Sequence, residues 1–195
     1  LPAILAQDSP GPLRVHLVDD SSDDDTARVA RDLATSAGGG GRLTVVRNDP
    51  RPPGWVGKTW ALRAGVESAL ADGPEYILLT DADIRHPRNS VQTLVAAAIR
   101  HDFDLVSKMA RLRVDVFWGR LLIPAFVLFF SMVYPFRWSN DPGRRTAAAA
   151  GGCLLIRTVS LKRGGGIESI AGAVIDDCAL ARRIKDHARP RGGRT

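Results

Sequence analysis

The sequence places acidic pairs where the strands of an α/β protein should end. Tyr76-Ile77-Leu78-Leu79-Thr80 reads as a strand and runs directly into Asp81-Ala82-Asp83. Ligands of open α/β sheets bind beyond the carboxyl ends of the strands, so these two carboxylates stand at the expected place for a site. Separated by one small residue, they can point the same way. One would then take a divalent cation and the other a sugar or nucleotide hydroxyl. Oxygen donors with few protein contacts suit Mg²⁺ or Mn²⁺ held between protein and diphosphate. The competing assignment is a turn with an Asp helix cap.

Three further groups belong with this one. Val15-His16-Leu17-Val18 leads into Asp19-Asp20-Ser21-Ser22-Asp23-Asp24-Asp25-Thr26, where Asp23 to Asp25 suit the first turn of a helix. Asp19 and Asp20 lie at the strand end and could accept from a nucleobase imide or a ribose hydroxyl. Gly57-Lys58 opens a helix, where backbone amides and an ammonium make an anion site, although Pro52 stands where a P-loop needs its first glycine. Asp176-Asp177 opens another helix. One of that pair serves as an N-terminal cap, and the other is a candidate general base. Ala147 to Cys153 supplies small residues for a close-packed turn or a close approach to ligand. The histidines, His16, His86, His101 and His187, are too scattered for zinc. No Gly-x-Ser-x-Gly elbow is present, and Cys178 lacks an obvious histidine partner, which argues against a hydrolase triad.

The elements that must position these groups follow from periodicity. Strands are expected at Leu13 to Val18, Leu43 to Arg47, Tyr76 to Thr80 and Asp104 to Ser107. Helices are expected at Asp24 to Ser36, with Val29 and Leu33 on one face, and at Trp60 to Leu70 and Ser90 to Arg100. In the last helix Leu180 and Ile184 should pack inward. This alternation predicts an open α/β sheet, mostly parallel and flanked by helices. The 195 residues are 45% hydrophobic and 25% charged, the proportions of one globular domain. Two distant cysteines, Cys153 and Cys178, provide neither a zinc ribbon nor a disulfide framework.

Leu121 to Phe136 departs from the pattern, since its polar groups are only Ser131 and the Tyr134 hydroxyl. It is shorter than the roughly 20 apolar residues that span a bilayer, and Pro124 and Pro135 interrupt it. A buried core helix, a docking face and an element lying in a membrane interface all remain open. Arg111, Arg113, Arg120 and Arg137, with Trp118 and Trp138, are residue types that sit at headgroup level. The formal charge of +6 arises from 27 Lys+Arg against 21 Asp+Glu, with the acids bunched and the bases spread. That field favours phosphate-bearing ligands or anionic lipid. Nucleic acid is not an expected partner, because no base-reading motif accompanies the basic residues.

In order, Val18 to Thr26, Gly57-Lys58, Asp81-Ala82-Asp83 and Asp176-Asp177-Cys178-Ala179-Leu180 resemble the family 2 inverting glycosyltransferases of GT-A fold. Gly54 to Lys58, the apolar stretch followed by Asn140-Asp141-Pro142, and Ala148 to Cys153 look more narrowly like the hopene-associated glycosyltransferases of bacterial hopanoid clusters. The resemblance implies a Rossmann-like nucleotide-sugar-binding half, residues 1–107, and an acceptor half, residues 108–195, containing 121–136. It implies that Asp19 or Asp20 contacts the nucleobase, that Asp81 contacts the nucleotide, and that Asp83 holds the cation on the diphosphate. Asp177, beside Asp176, would take the acceptor proton, and Lys58 would help bind the donor. A lipid, hopanoid-type acceptor and a post at the cytoplasmic face of the bacterial inner membrane follow from the same likeness. The family's first strand and nucleotide-contacting loop would precede Leu1, and a membrane region would follow the chain. No Gln-x-x-Arg-Trp element follows Asp177, which favours single-sugar transfer. A sugar-phosphate nucleotidyltransferase and an inactive nucleotide-sugar-binding module are the alternatives.

Overall fold

The computed structural model describes residues 1–112 and 114–188. Arg113 and the Gly- and Pro-containing end from Arg189 to Thr195 lie outside the described residues. After a single helical turn, α1 (Pro2–Leu5), the chain forms β1 (Val15–Asp19), α2 (Thr26–Ser36), β2 (Leu43–Arg47), α3 (Gly57–Leu70), β3 (Tyr76–Thr80), α4 (Ser90–His101) and β4 (Leu105–Ser107). These agree closely with the elements expected from periodicity. The second half holds α5 (Phe117–Val133), α6 (Phe136–Ser139), β5 (Cys153–Arg157), α7 (Thr158–Arg163) and α8 (Asp176–Asp186).

The sheet differs from the parallel arrangement predicted. β1 and β2 pair in parallel, from Val15 opposite Leu43 to Asp19 opposite Arg47. The other three strands form a separate sheet in the order β3-β5-β4, with β5 antiparallel to both neighbours. The reason lies in the connection. A right-handed crossover helix returns a chain parallel to the strand it left, whereas β5 is entered only after the long excursion through α5 and α6. It therefore slots between β3 and β4 running the other way, with Thr80 opposite Cys153.

β5 is the centre of the core. Cys153-Leu154-Leu155-Ile156 is a continuous buried run, as expected of a strand covered on both faces. Leu154 and Ile156 join Val66, Ile77, Leu161, Ile170, Leu180 and Ile184 on one side. Cys153 and Leu155 join Leu94 and Ala98 of α4 on the other. Leu180 and Ile184 thus pack inward as their spacing requires. In α2, however, Ala30 and Ala34 are the buried residues, while Val29 and Leu33 are 45% and 43% exposed. They line an open groove with Leu1 and Leu17.

Helix α3 crosses β1 at very short range. A Cβ added at Gly65 would lie 2.8 Å from Val18 Cγ2, and a β-branched side chain has little rotamer freedom with which to retreat. Gly65→Ala should therefore lower stability by about 1 kcal/mol net, since overpacking outweighs the gain in helix propensity. Gly41→Ala, which meets open space, should be near neutral. Urea denaturation checks both, and a Gly65→Ala protein as stable as the parent would contradict this packing.

Candidate active site

The start of α3 is fixed to the loop before α8. The Val56 N–H and the Thr59 hydroxyl both donate to the Ala171 carbonyl, at 2.9 and 2.6 Å, and Thr59 is wholly buried. Lys58 lies between those anchors. Its ammonium projects between the end of β3 and the start of α8, 3.5 Å from Asp81 Oδ1 and 3.3 Å from Asp176 Oδ2. Burial pushes the Lys58 pKa down, but the Asp176 and Asp81 carboxylates outweigh burial and hold it above the ordinary lysine value. The anion site read from Gly57-Lys58 is thus a lysine already shared by two carboxylates.

Asp177 is held differently. Its Oδ2 accepts the Gly151 N–H at 2.8 Å and its Oδ1 accepts the Cys178 N–H at 2.7 Å. A Cβ at Gly151 would lie 3.0 Å from Asp177 Oδ2, so the glycine permits the loop to close on the carboxylate. The small residues from Ala147 to Cys153 accordingly serve close packing: Ala147 and Ala149 are buried, and Gly151 cradles Asp177. Nothing local in the sequence signals a contact across 26 residues.

The same loop is tied to the end of β3. The Thr80 hydroxyl donates to the Gly152 carbonyl at 3.0 Å and sits 2.8 Å from His86 Nε2. Burial pushes the His86 pKa down, consistent with a neutral imidazole packed behind the site. Lys58, Asp81, Gly151, Asp176 and Asp177, with Leu62, Leu79 and Leu180, line a small cleft. Four positions distant in sequence therefore meet in one place. Asp83 lies just outside, exposed, with no hydrogen-bond or ion-pair partner among the described residues.

Asp19 and Asp20 end β1, apart from this cleft. Asp19 is buried, and its Oδ1 accepts the Ser22 N–H at 2.9 Å. Hydrogen bonds from Ser22 hold its pKa below the usual carboxylate value. Asp20 accepts from Asn48 Nδ2 at 2.8 Å. Asp23 to Asp25 precede α2 instead of forming its first turn, since the helix starts only at Thr26 and has no side-chain cap; Asp24 Oδ1 accepts the Thr26 N–H at 2.9 Å in the turn that leads into it. No cluster of three or more metal-ligating side chains occurs among the described residues, so a cation here would need ligands from a bound molecule.

Tyr134 gained no role from the sequence, yet it borders the site. Its hydroxyl interacts with the Cys178 thiol and feels the Asp177 charge; Cys178 first, then burial and Asp177, raise its pKa. A lone polar tip closing an apolar run was the available signal.

The family model for glycosyl transferase family 2 matches residues 1–165. No curated protein sequence matches the chain. The match takes in the strand-end acids, Lys58 and the glycine loop, and stops short of α8. The chain belongs to glycosyl transferase family 2 and is a glycosyltransferase.

Proposed function

We propose that this glycosyltransferase moves a single sugar, with inversion, from a nucleotide-diphosphate sugar to a hydroxyl of a lipid acceptor at a membrane surface. The observation that carries the reading is the posture of Asp177. Two backbone N–H groups fix its carboxylate, each oxygen keeps a lone pair, and no cation among the described residues pairs with it, whereas Asp176 is tied to Lys58. Asp177 would accept the acceptor's proton as the acceptor oxygen attacks the anomeric carbon, and the bond from that carbon to the diphosphate breaks on the opposite side. Asp81 and Lys58 would orient the donor's nucleotide and diphosphate, while Asp19 and Asp20 offer acceptors toward the base.

The charge balance supports a cation. Lys58 pairs with Asp81 and Asp176, while Asp83 and Asp177 have no cation partner among the described residues, so an incoming diphosphate would meet excess negative charge. Exposed and without a partner among the described residues, Asp83 is a hard oxygen donor that would suit Mg²⁺ or Mn²⁺ completed by diphosphate oxygens and water. Such a cation, when bound, would neutralise charge developing on the leaving nucleoside diphosphate.

Helix α5 supports the membrane half of the reading. None of its 17 residues is buried, and Leu121, Leu122, Phe126, Leu128, Phe129 and Met132 are exposed. No helix among the described residues is long and apolar enough to cross a membrane. A largely apolar helix about 25 Å long, carrying Trp118 and Arg120 in its first turn and followed by Arg137 and Trp138 in α6, suits the plane of the interface. Of the lipid acceptors this would admit, the narrower likeness of Gly54 to Lys58 and Ala148 to Cys153 favours a hopanoid-type one. A post at the cytoplasmic face of the bacterial inner membrane accords with it.

Three measurements test this. A panel of UDP-, GDP- and dTDP-sugars, screened with Mn²⁺ by thermal shift, identifies the donor. Asp177→Asn should then abolish transfer, by roughly a thousandfold or more, with donor binding near normal; substantial turnover would refute the base assignment. Asp83→Ala should weaken Mn²⁺-dependent binding of that donor at least tenfold by calorimetry, and unchanged affinity would refute the cation role. Sedimentation with phosphatidylglycerol vesicles should carry the parent down, and Leu128→Glu/Phe129→Glu should reduce that partition by an order of magnitude or more. Equal partition of the two proteins would exclude α5 as the membrane contact.

A further inference from the structure

Along α5, Phe126, Phe130 and Tyr134 recur at helical spacing and touch in series. The Phe126 and Phe130 ring centroids are 6.3 Å apart, and those of Phe130 and Tyr134 are 5.1 Å apart. Exposure falls along the row. Phe126 is 56% exposed, whereas Phe130 and Tyr134 are half-buried. At its inner end Tyr134 lies beside Cys178 and within the field of Asp177, and the Cys178 N–H donates to Asp177 Oδ1. The row thus begins on the exposed face of the helix and ends beside the residue that follows Asp177.

We propose that the Phe126-Phe130-Tyr134 row is the acceptor track, on which the apolar body of the acceptor lies while its hydroxyl projects past Tyr134 toward Asp177. This rests on the lipid-acceptor reading above and adds the residues that would select the acceptor. The surfaces offered are ring faces and edges, with no charged side chain in the row. The site would therefore choose its acceptor by apolar length and width rather than by a charged headgroup. From Phe126 to Tyr134 the helix advances about 12 Å, which sets the length of apolar body the row can cover.

The test uses 1-O-alkylglycerols of increasing chain length, kept below their critical micelle concentrations, as probes for binding to the full chain by tryptophan fluorescence. Affinity should rise about fourfold per methylene until the tail spans about 12 Å, then level off. Phe130→Ala and Tyr134→Ala should each weaken binding roughly tenfold. Tyr134→Phe, which keeps the ring, should restore it, and Val29→Ala, an exposed apolar residue of α2, should change little. Because α5 contributes nothing to the buried core, thermal melting of the α5 variants should match the parent. Affinity independent of tail length, absence of saturable binding, or equal binding by Phe130→Ala and Val29→Ala would overturn the track. A failure of nucleotide-sugar binding or turnover in the parent would instead count against the transferase mechanism and leave the probe result standing on its own.

Discussion

A single ammonium organises this site. Lys58 reaches from the first turn of α3 to a carboxylate that ends β3 and to another that opens α8. Three elements from separate parts of the chain converge on it. Without the lysine, Asp81 and Asp176 would repel across the same small space, and neither β3 nor α8 has a cation of its own to offer there. The arrangement is also incomplete by design of charge. Asp177 and Asp83 add two carboxylates that the lysine does not reach, so negative charge is in excess around it. On the proposed function, a divalent cation held by Asp83 would offset that excess when the donor's diphosphate binds.

What the sequence disclosed and what it concealed divide along physical lines. Strand ends and helix starts are local features, and Asp81, Asp176, Asp177 and Lys58 could be picked out because each lies at such a boundary. The inward packing of Leu180 and Ile184 was equally legible, since a helix fixes which residues share a face. The direction of β5 was not. Cys153-Leu154-Leu155-Ile156 carries the continuous apolar pattern of a doubly covered strand, but that pattern is the same whichever way the strand runs. Its antiparallel course depends on the excursion through α5 and α6. In α2 the pattern misled, because Val29 and Leu33 have the hydrophobicity of core residues while the close approach to neighbouring elements admits only Ala30 and Ala34. The Gly151 bond to Asp177 is a long-range contact between a backbone amide and a side chain, and spacing has no way of encoding it.

The glycine loop shows how packing and chemistry share residues. Gly152 takes the Thr80 hydroxyl on its carbonyl, and Gly151 gives its N–H to Asp177. The loop is therefore a rigid spacer between the strand-end acid Asp81 and the helix-start acid Asp177. His86 supports it from behind through Thr80. A larger residue at position 151 would move the Asp177 carboxylate by tenths of an ångström or more, and if Asp177 is the base proposed above, a displacement of that order would matter to proton transfer.

The apolar helix poses the opposite problem, since almost nothing packs on it. It is fastened instead at one end by charge. Lys185, near the end of α8, donates to the carbonyls of Trp138, Ser139 and Thr146 at 3.2, 3.0 and 2.6 Å. Burial pushes its pKa down, but three carbonyls supply the acceptors that an ammonium needs once water is excluded. This grip holds the exit of the apolar segment against the helix that begins with Asp176 and Asp177. Most of the segment is exposed, so its attachment depends on these hydrogen bonds to backbone carbonyls and not on burial of its side chains. On the proposed membrane reading, the helix would lie against lipid along most of its length while this grip keeps its inner end in register with the carboxylates.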